Sequence, residues 1–284
     1  MKTTVIYQWP DLRGYLAYKL MPEATCLVAE PGETGETVLR RMDTGCERFW
    51  FHLAATITTN FPSGRSELLA SLGDRGVQVV NGHITDISKR HLQQFNRERG
   101  YLDVLAAETG DPDELLILKT NYNSGGDAER YLSTAEYDRL ELNQSDAVPA
   151  GFKYHVGARS SFDPEYWKNP AFVFERFIHN KWGIWYRAMV RRPKVALCQF
   201  QCSAQIKKDG RSRLLQITWL RSDDRSAAAG SIGALVLRFI EDFQFDFGAV
   251  DLVTDLENVA AVVDVNPTPW GGGQPGVEAY LNSD

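Results

Sequence analysis

The stretch FDFGAVDLVTDLENVAAVVDVNPTPWGGG, residues 245–273, decides how the rest of the chain is read. Two β-branched or apolar runs, Phe247–Thr254 and Val259–Val265, flank Asp255-Leu256-Glu257-Asn258. That tetrapeptide is turn chemistry, so the spacing predicts a β-hairpin. An apolar strand carries an acid in its middle only where something neutralises it. Here Asp251 sits inside GAVDLV and Asp264 inside AVVDVNP. Asp264 and Asn266 are two residues apart and share one face of a strand, and pairing of the hairpin can lay Asp251 across from them. Two carboxylates and an amide oxygen on one face form a hard, oxygen-rich set suited to Mg²⁺. Mg²⁺ usually keeps waters and takes its remaining ligands from nucleotide phosphates. The alternative is a hairpin whose acids face water and whose Asn-Pro pair ends the strand.

An acid in a strand, a turn, and then the acid-x-Asn-x-x-Pro strand end at 264–269 resemble the metal-binding signature of the ATP-grasp superfamily. D-alanine–D-alanine ligase and glutathione synthetase belong to it. The resemblance implies ATP together with Mg²⁺ (or Mn²⁺), the metal being held by Asp251, Asp264 and Asn266 between the phosphates. The superfamily usually has Glu where this chain has Asp264, one methylene shorter, so coordination there is expected to be monodentate or shifted. Two acids that repel each other without metal lead to a further expectation. Asp251→Asn or Asp264→Asn should abolish turnover yet raise the stability of the metal-free protein.

The 284 residues suffice for a large core and about two domains. A net charge of −6 argues against a protein that coats nucleic acid and leaves a nucleotide site open. Cys26, Cys46, Cys198 and Cys202 have no CxxC spacing and read as reduced thiols of a cytoplasmic protein. Cys198 and Cys202 share a strand face, where core packing explains them. The five histidines show no metal-ligand spacing, and no secretory segment or membrane-length apolar run is present.

Residues 1–88 read as a small α/β unit. Strands are expected at Thr4–Trp9, Thr25–Ala29, Arg48–Ile57 and Val77–Val80, with a helix from Ser66 to about Gly73. Strand, helix and strand imply a crossover and a parallel sheet. The superfamily commonly carries such a unit in front of its core. Asp86 or Ser88 can cap a helix that runs to about Glu98 and ends at Gly100. Lys89 at its start is a candidate for an ATP phosphate on the resemblance, and otherwise a solvated helix lysine. Glu114–Thr120 is a buried strand ending in Lys119, followed by the polar loop Asn121-Tyr122-Asn123-Ser124-Gly125-Gly126. Glycines let backbone N–H groups approach phosphate oxygens, and a strand-end lysine adds charge. A plain hairpin loop looks the same, and no Walker A motif is present. The resemblance assigns Lys119 to the phosphates and the loop, with Gly125 and Gly126, to a lid over ATP.

Ala147–Val156 and Asn169–Pro170 show little pattern and read as connections. Ala171–Ile178 is an apolar strand interrupted by Glu175-Arg176. In the superfamily adenine lies against this strand, which implies nucleotide contacts for Glu175 and Arg176; an exposed Glu-Arg pair is the alternative. Gly183–Val190 is a strand with Arg187 among apolar residues, where an unpaired cation is costly. The resemblance gives Arg187 the transferring phosphoryl group, a task that suits a rigid, always-charged fork. Many relatives bind ribose through an acid where this chain has Trp182 and Trp185, so that contact stays unassigned. Lys194–Ile206 and Arg213–Trp219 read as paired strands around Asp209-Gly210. Ser231–Phe243 reads as an amphipathic helix.

The expected fold is α+β: an ATP-grasp core of two α+β subdomains, about 89–172 and about 173–284, behind an N-terminal α/β unit at 1–88. The expected activity is that of a carboxylate–amine ligase working through an acyl phosphate and releasing ADP and phosphate, with Arg187 and Lys119 as catalytic residues. An ATP-grasp kinase and a non-catalytic nucleotide-binding protein are the alternatives. Expected partners are a small-molecule carboxylate and an amine, with a homodimer left open and neither nucleic acid nor membrane.

Overall fold

The computed structural model describes residues 3–42, 45–139, 151–204, 206, 210–223, 231–270, 274 and 276–283. Asp209 and the loop Gly271-Gly272-Gly273 lie outside the described residues.

The first part of the chain runs β1 (Thr4–Trp9), α1 (Leu16–Leu20), β2 (Thr25–Val28), α2 (Gly35–Arg41), β3 (Arg48–Leu53), α3 (Arg65–Asp74) and β4 (Gln78–Val80). Its four strands form the parallel sheet β2-β1-β3-β4, as the strand–helix–strand pattern requires. β3 stops at Leu53 rather than Ile57. Its partner β1 ends at Trp9, and the next inter-strand bond, Ala54 N to the Trp9 carbonyl at 2.9 Å, closes the ladder. The helices α1 and α2 were not anticipated, because five and seven residues are too few to show a helical period.

The middle of the chain runs α4 (Lys89–Glu98), β5 (Leu115–Thr120), α5 (Thr134–Arg139), β6 (His155–Ala158), α6 (Glu165–Lys168) and β7 (Phe172–Arg176). Ser88 caps α4 by accepting the His91 N–H at 3.3 Å. The antiparallel sheet β6-β5-β7 buries Leu116, Leu118, Phe172 and Phe174 on one face. β6 begins in the stretch read as a connection, at His155 and Val156, and runs two residues beyond it. HVGA carries no alternation, and pairing with β5 makes it a strand. β7 stays bonded to β5 as far as Arg176, so the passage to the next sheet follows Arg176.

The last part runs β8 (Ile184–Arg191), β9 (Lys194–Cys202), β10 (Ser212–Arg221), α7 (Ile232–Asp242), β11 (Phe247–Thr254), β12 (Ala260–Asn266) and α8 (Val277–Asn282). The strands form the antiparallel sheet β10-β9-β8-β11-β12. Both of its faces are covered, which is why β11 reads as a continuous apolar run. One face, with Val190, Val250 and Leu252, meets α4 and α7 through Leu92, Val236 and Phe239. The other, with Met189, Cys198, Cys202, Phe247 and Ala249, meets Ile6, Trp50 and Val80 of the parallel sheet and Leu16, Ala17 and Leu20 of α1. Each large side chain buried this way contributes roughly 1.5–3 kcal/mol. Cys198 and Cys202 are thus core residues, as expected.

Two residues fasten this arrangement. Asn81 donates its amide N–H to the Phe247 carbonyl at 2.8 Å and accepts the Asp246 and Phe247 N–H groups at 3.1 Å each. Gly248 has φ +143°, and a Cβ there would stand 2.4 Å from the Asn266 carbonyl oxygen. Only glycine lets β11 and β12 approach so closely at the strand end that carries Asn266.

Candidate active site

The hairpin at 247–266 forms as the sequence implies, with β11 at the expected residues and β12 displaced by one at each end. Its exposed turn is closed by Asp255, whose carboxylate accepts the Glu257 and Val259 N–H groups at 2.9 and 2.8 Å. Asp251 is registered directly opposite Asp264, and Ala249 opposite Asn266, with a bulge immediately after Asp251. Directly opposed residues point to one face. Asp251, Asp264 and Asn266 therefore line a single cavity of about 630 Å³, together with Arg187, Trp185, Asn123 and Ser124.

Arg187 is the residue on β8 registered opposite Asp251. Its guanidinium forks onto that carboxylate, with Nε donating to Oδ1 at 2.7 Å and Nη2 donating to Oδ2 at 2.9 Å. The Asp251 charge beside it holds the Arg187 pKa above the ordinary arginine value, outweighing burial. The structure therefore corrects the expected repulsion between the two acids: a cation already neutralises Asp251. Loss of that carboxylate should lower the stability of the metal-free protein, not raise it. Asp264 lies 3.7 Å from the Lys89 ammonium, and its buried Oδ1 has no hydrogen-bond partner. Asn266 Oδ1 accepts from Thr268 N at 2.9 Å, Thr268 Oγ1 at 3.2 Å and Asn123 Nδ2 at 3.4 Å.

A second cleft adjoins this cavity, sharing Trp185 and Asp264 with it. Val104, Ile117, Val253 and Val263 give it apolar walls, and Lys89, Lys119, Glu175, Tyr154 and Asn180 give it polar ones. Lys119 and Glu175 are diagonal neighbours on β5 and β7, and the ammonium donates to Glu175 Oε2. Glu175 is 1% exposed and its Oε1 has no hydrogen-bond partner. It is therefore a buried ion-pair member and not half of an exposed Glu-Arg pair. Arg176 lines the same cleft, but its guanidinium donates to the Asp103 carbonyl.

Lys89 is fully buried at the first turn of α4 and is no solvated lysine. Burial by itself lowers its pKa, yet Tyr154, Asp264 and Glu175 more than offset this and hold it above the ordinary lysine value. Its ammonium donates to the Tyr122 carbonyl at 2.9 Å. The same loop is fixed elsewhere: Lys89 N and Arg90 N donate to the Asn121 carbonyl and side-chain oxygen at 3.1 and 3.0 Å. Asn123 N donates to Thr56 Oγ1 at 2.8 Å. Residues 121–123 are thus moored, and Asn123 at their end lines the cavity. Gly125 and Gly126 follow with φ +78° and +77° and line neither cavity described above.

Tyr154, Asn180, Asn123 and Ser124 were not singled out from sequence. Asn123 and Ser124 belong to the polar loop, whose glycines drew the attention instead. Tyr154 and Asn180 stand in patternless segments and reach the cleft only through the tertiary fold. Trp185 is buried at the junction of the two cavities, and Trp182 is 74% exposed.

The donor set fits Mg²⁺. It consists of two carboxylates and an amide, one buried carboxylate oxygen has no partner, and phosphate oxygens would complete the shell. Among the described residues no group of three or more His, Cys, Asp or Glu is placed to hold a metal ion.

No family model and no curated protein matches the chain. Solved structures do. The ATP-grasp ligase PsnB, complexed with a phosphomimetic variant of its minimal precursor, Mg and ADP, superposes with a TM-score of 0.52 at 12% identity, covering 100% of this chain and 94% of that one. A RimK domain protein ATP-grasp from Sphaerobacter thermophilus gives a TM-score of 0.50 at 15% identity, covering 99% and 97%. The N5-carboxyaminoimidazole synthetase from Staphylococcus aureus gives 0.50 at 12% identity, covering 99% and 76%. The chain has the ATP-grasp fold: mixed α and β with several sheets, as its sequence implied. Among the described residues no helix is long and apolar enough to cross a membrane.

Proposed function

We propose that the protein is an ATP- and Mg²⁺-dependent carboxylate–amine ligase that forms an amide and releases ADP and phosphate. The observation that carries this reading is the registered trio Asp251, Asp264 and Arg187, set beside a cleft with apolar walls, two lysines and a buried glutamate. The neighbours of like fold support it, since PsnB is a ligase complexed with Mg and ADP. Bound at Asp251, Asp264 and Asn266, Mg²⁺ would offset charge on the phosphates.

The chain's own groups account for the rest. Glu175 and the apolar walls hold the base of the nucleotide, and Lys119 and Lys89 face its phosphates. Arg187 is held by Asp251 and aimed into the acidic cavity, where it would meet charge that develops on the transferring phosphoryl group. That group passes to the carboxylate, and the amine then displaces phosphate. We place the nucleotide-binding core within 89–284 and give the unit at 1–88 a share of the substrate cleft. All four cysteines are free thiols, which supports the cytoplasm as the site of action.

The test is ³¹P NMR of the chain with ATP, Mg²⁺ and a panel of carboxylates and amines. The expected products are ADP and free phosphate, dependent on both substrates, with a hydroxamate when hydroxylamine replaces the amine. A phosphomonoester accumulating with ADP would turn the reading to a kinase, and AMP with pyrophosphate would sink both.

A further inference from the structure

A third cavity, of about 860 Å³, lies at the far end of the sheet face that carries Arg187. It opens between the β3–β4 edge of the parallel sheet, the turn from β8 to β9, and α8. Five cations line it, Arg48, Arg191, Arg192, Lys194 and Arg221, against one carboxylate, Asp246. Two of the five have acids at hand: Arg192 lies 3.9 Å from Asp246, and Arg221 forks onto Asp223 at 2.9 and 2.7 Å.

Among the described residues the other three make their hydrogen bonds to neutral groups, and the one acid acting on Arg191, Glu23, does so from longer range. Arg48 donates to the Gln78 amide oxygen at 3.1 Å. Arg191 donates to the Leu281 carbonyl at 3.0 Å and the Asn282 amide oxygen at 2.7 Å. Lys194 donates to the Ser283 hydroxyl at 3.0 Å and is only 6% exposed. The Trp50 indole N–H, in the same wall, is buried without an acceptor. Burial, and secondarily the like charge of Arg48, pushes the Arg191 pKa below the ordinary arginine value. A buried cation without a counter-charge is costly unless something brings one.

We propose that this cavity binds a phosphate-bearing small molecule, at a site separate from the nucleotide cleft. Two guanidiniums offer planar forks that match phosphoryl oxygens two at a time, and Lys194 adds a point charge between them. Three cations with no ion-pair partner among the described residues suit a multiply charged anion. Trp50, Pro193 and Leu281 leave an apolar wall for an organic body attached to it. The proposal does not rest on the ligase reading, since none of these residues lines either cavity of the candidate active site.

Isothermal titration calorimetry with inorganic pyrophosphate tests it on the full chain. One site outside the nucleotide cleft is expected, weakened at least about tenfold in Arg191→Gln and in Lys194→Gln, as loss of one charge-assisted bond predicts. Arg48→Gln, at the rim, should weaken it severalfold, and it carries the test if a deeper variant fails to fold. Lys119→Met should leave this binding unchanged. Titrations with orthophosphate and with glycerol 3-phosphate separate a bare-phosphate ligand from a phosphomonoester, the tighter of the two naming the source. Absence of binding, binding lost in Lys119→Met but not in the cavity variants, or citrate binding as tightly as pyrophosphate would each overturn the proposal.

Discussion

Arg187 and Arg191 stand four residues apart on β8, on one face of the strand with Met189 between them, and they solve the same problem differently. Arg187 is registered opposite Asp251 and takes both oxygens of that carboxylate. Arg191 is registered opposite Phe247 and donates to a backbone carbonyl and an amide oxygen, with no acid within ion-pair distance among the described residues. The Asp251 charge raises the pKa of the first, and burial lowers that of the second. The lesson is that the fold supplies the counter-charge at one end of the strand and leaves it to a ligand at the other. Which end receives it is decided by the β11 register, not by β8 itself.

The largest effect that would test this comparison is on turnover. Arg187→Lys keeps a charge beside Asp251 but loses the fork, and kcat should fall by about 10³-fold if the guanidinium meets the transferring phosphoryl group. A kcat within tenfold of wild type would leave Arg187 with a structural task alone.

Stability separates the two kinds of cation next. Lys119→Met strands Glu175, buried to 1% exposure, and should cost about 3–5 kcal/mol in urea unfolding. Lys194→Met removes a buried cation that meets the Ser283 hydroxyl and the Tyr280 ring, both neutral, so in phosphate-free buffer it should cost less than about 1 kcal/mol. Equal losses for the two variants would erase the distinction between fold-supplied and ligand-supplied counter-charge.

The smallest effect concerns a buried acid that accepts from a neutral donor. Glu129 accepts the Thr56 N–H at 2.6 Å, its Oε2 has no partner, and burial raises its pKa above the ordinary 4.5. The folded state thus holds the proton more tightly than the unfolded chain does. The stability this gives is fully present below the unfolded value and is lost as pH rises through the folded one. Glu129→Gln keeps an oxygen for Thr56. It should raise the melting temperature at pH 7 and match wild type near pH 4, and a lower melting temperature at pH 7 would contradict the assignment.

Much of this molecule could be read from its sequence where burial and local chemistry agree. β1 and β11 fall at the expected residues, and α4 starts after Ser88 because a serine cap is a local signal. Asp251 and Asp264 stood out because acids interrupt apolar strands. What could not be read was partnership. That Arg187 would neutralise Asp251 depends on β8 lying beside β11 in one register, and nothing within either strand encodes this. β6 and α1 are made by their neighbours more than by their own residues. The glycines at 125–126 advertised a phosphate loop, whereas Asn123 and Ser124 just before them reach the cavity.

The mooring of residues 121–123 has a consequence for the thermodynamics of substrate capture. Fixing a residue's backbone costs about 1–2 kcal/mol of conformational entropy. Here that loss is incurred when the chain folds, because α4 and Thr56 already hold the segment through Asn121, Tyr122 and Asn123. A molecule entering the cavity meets a wall that is already ordered, and its own contact energy is not diminished by the need to organise one.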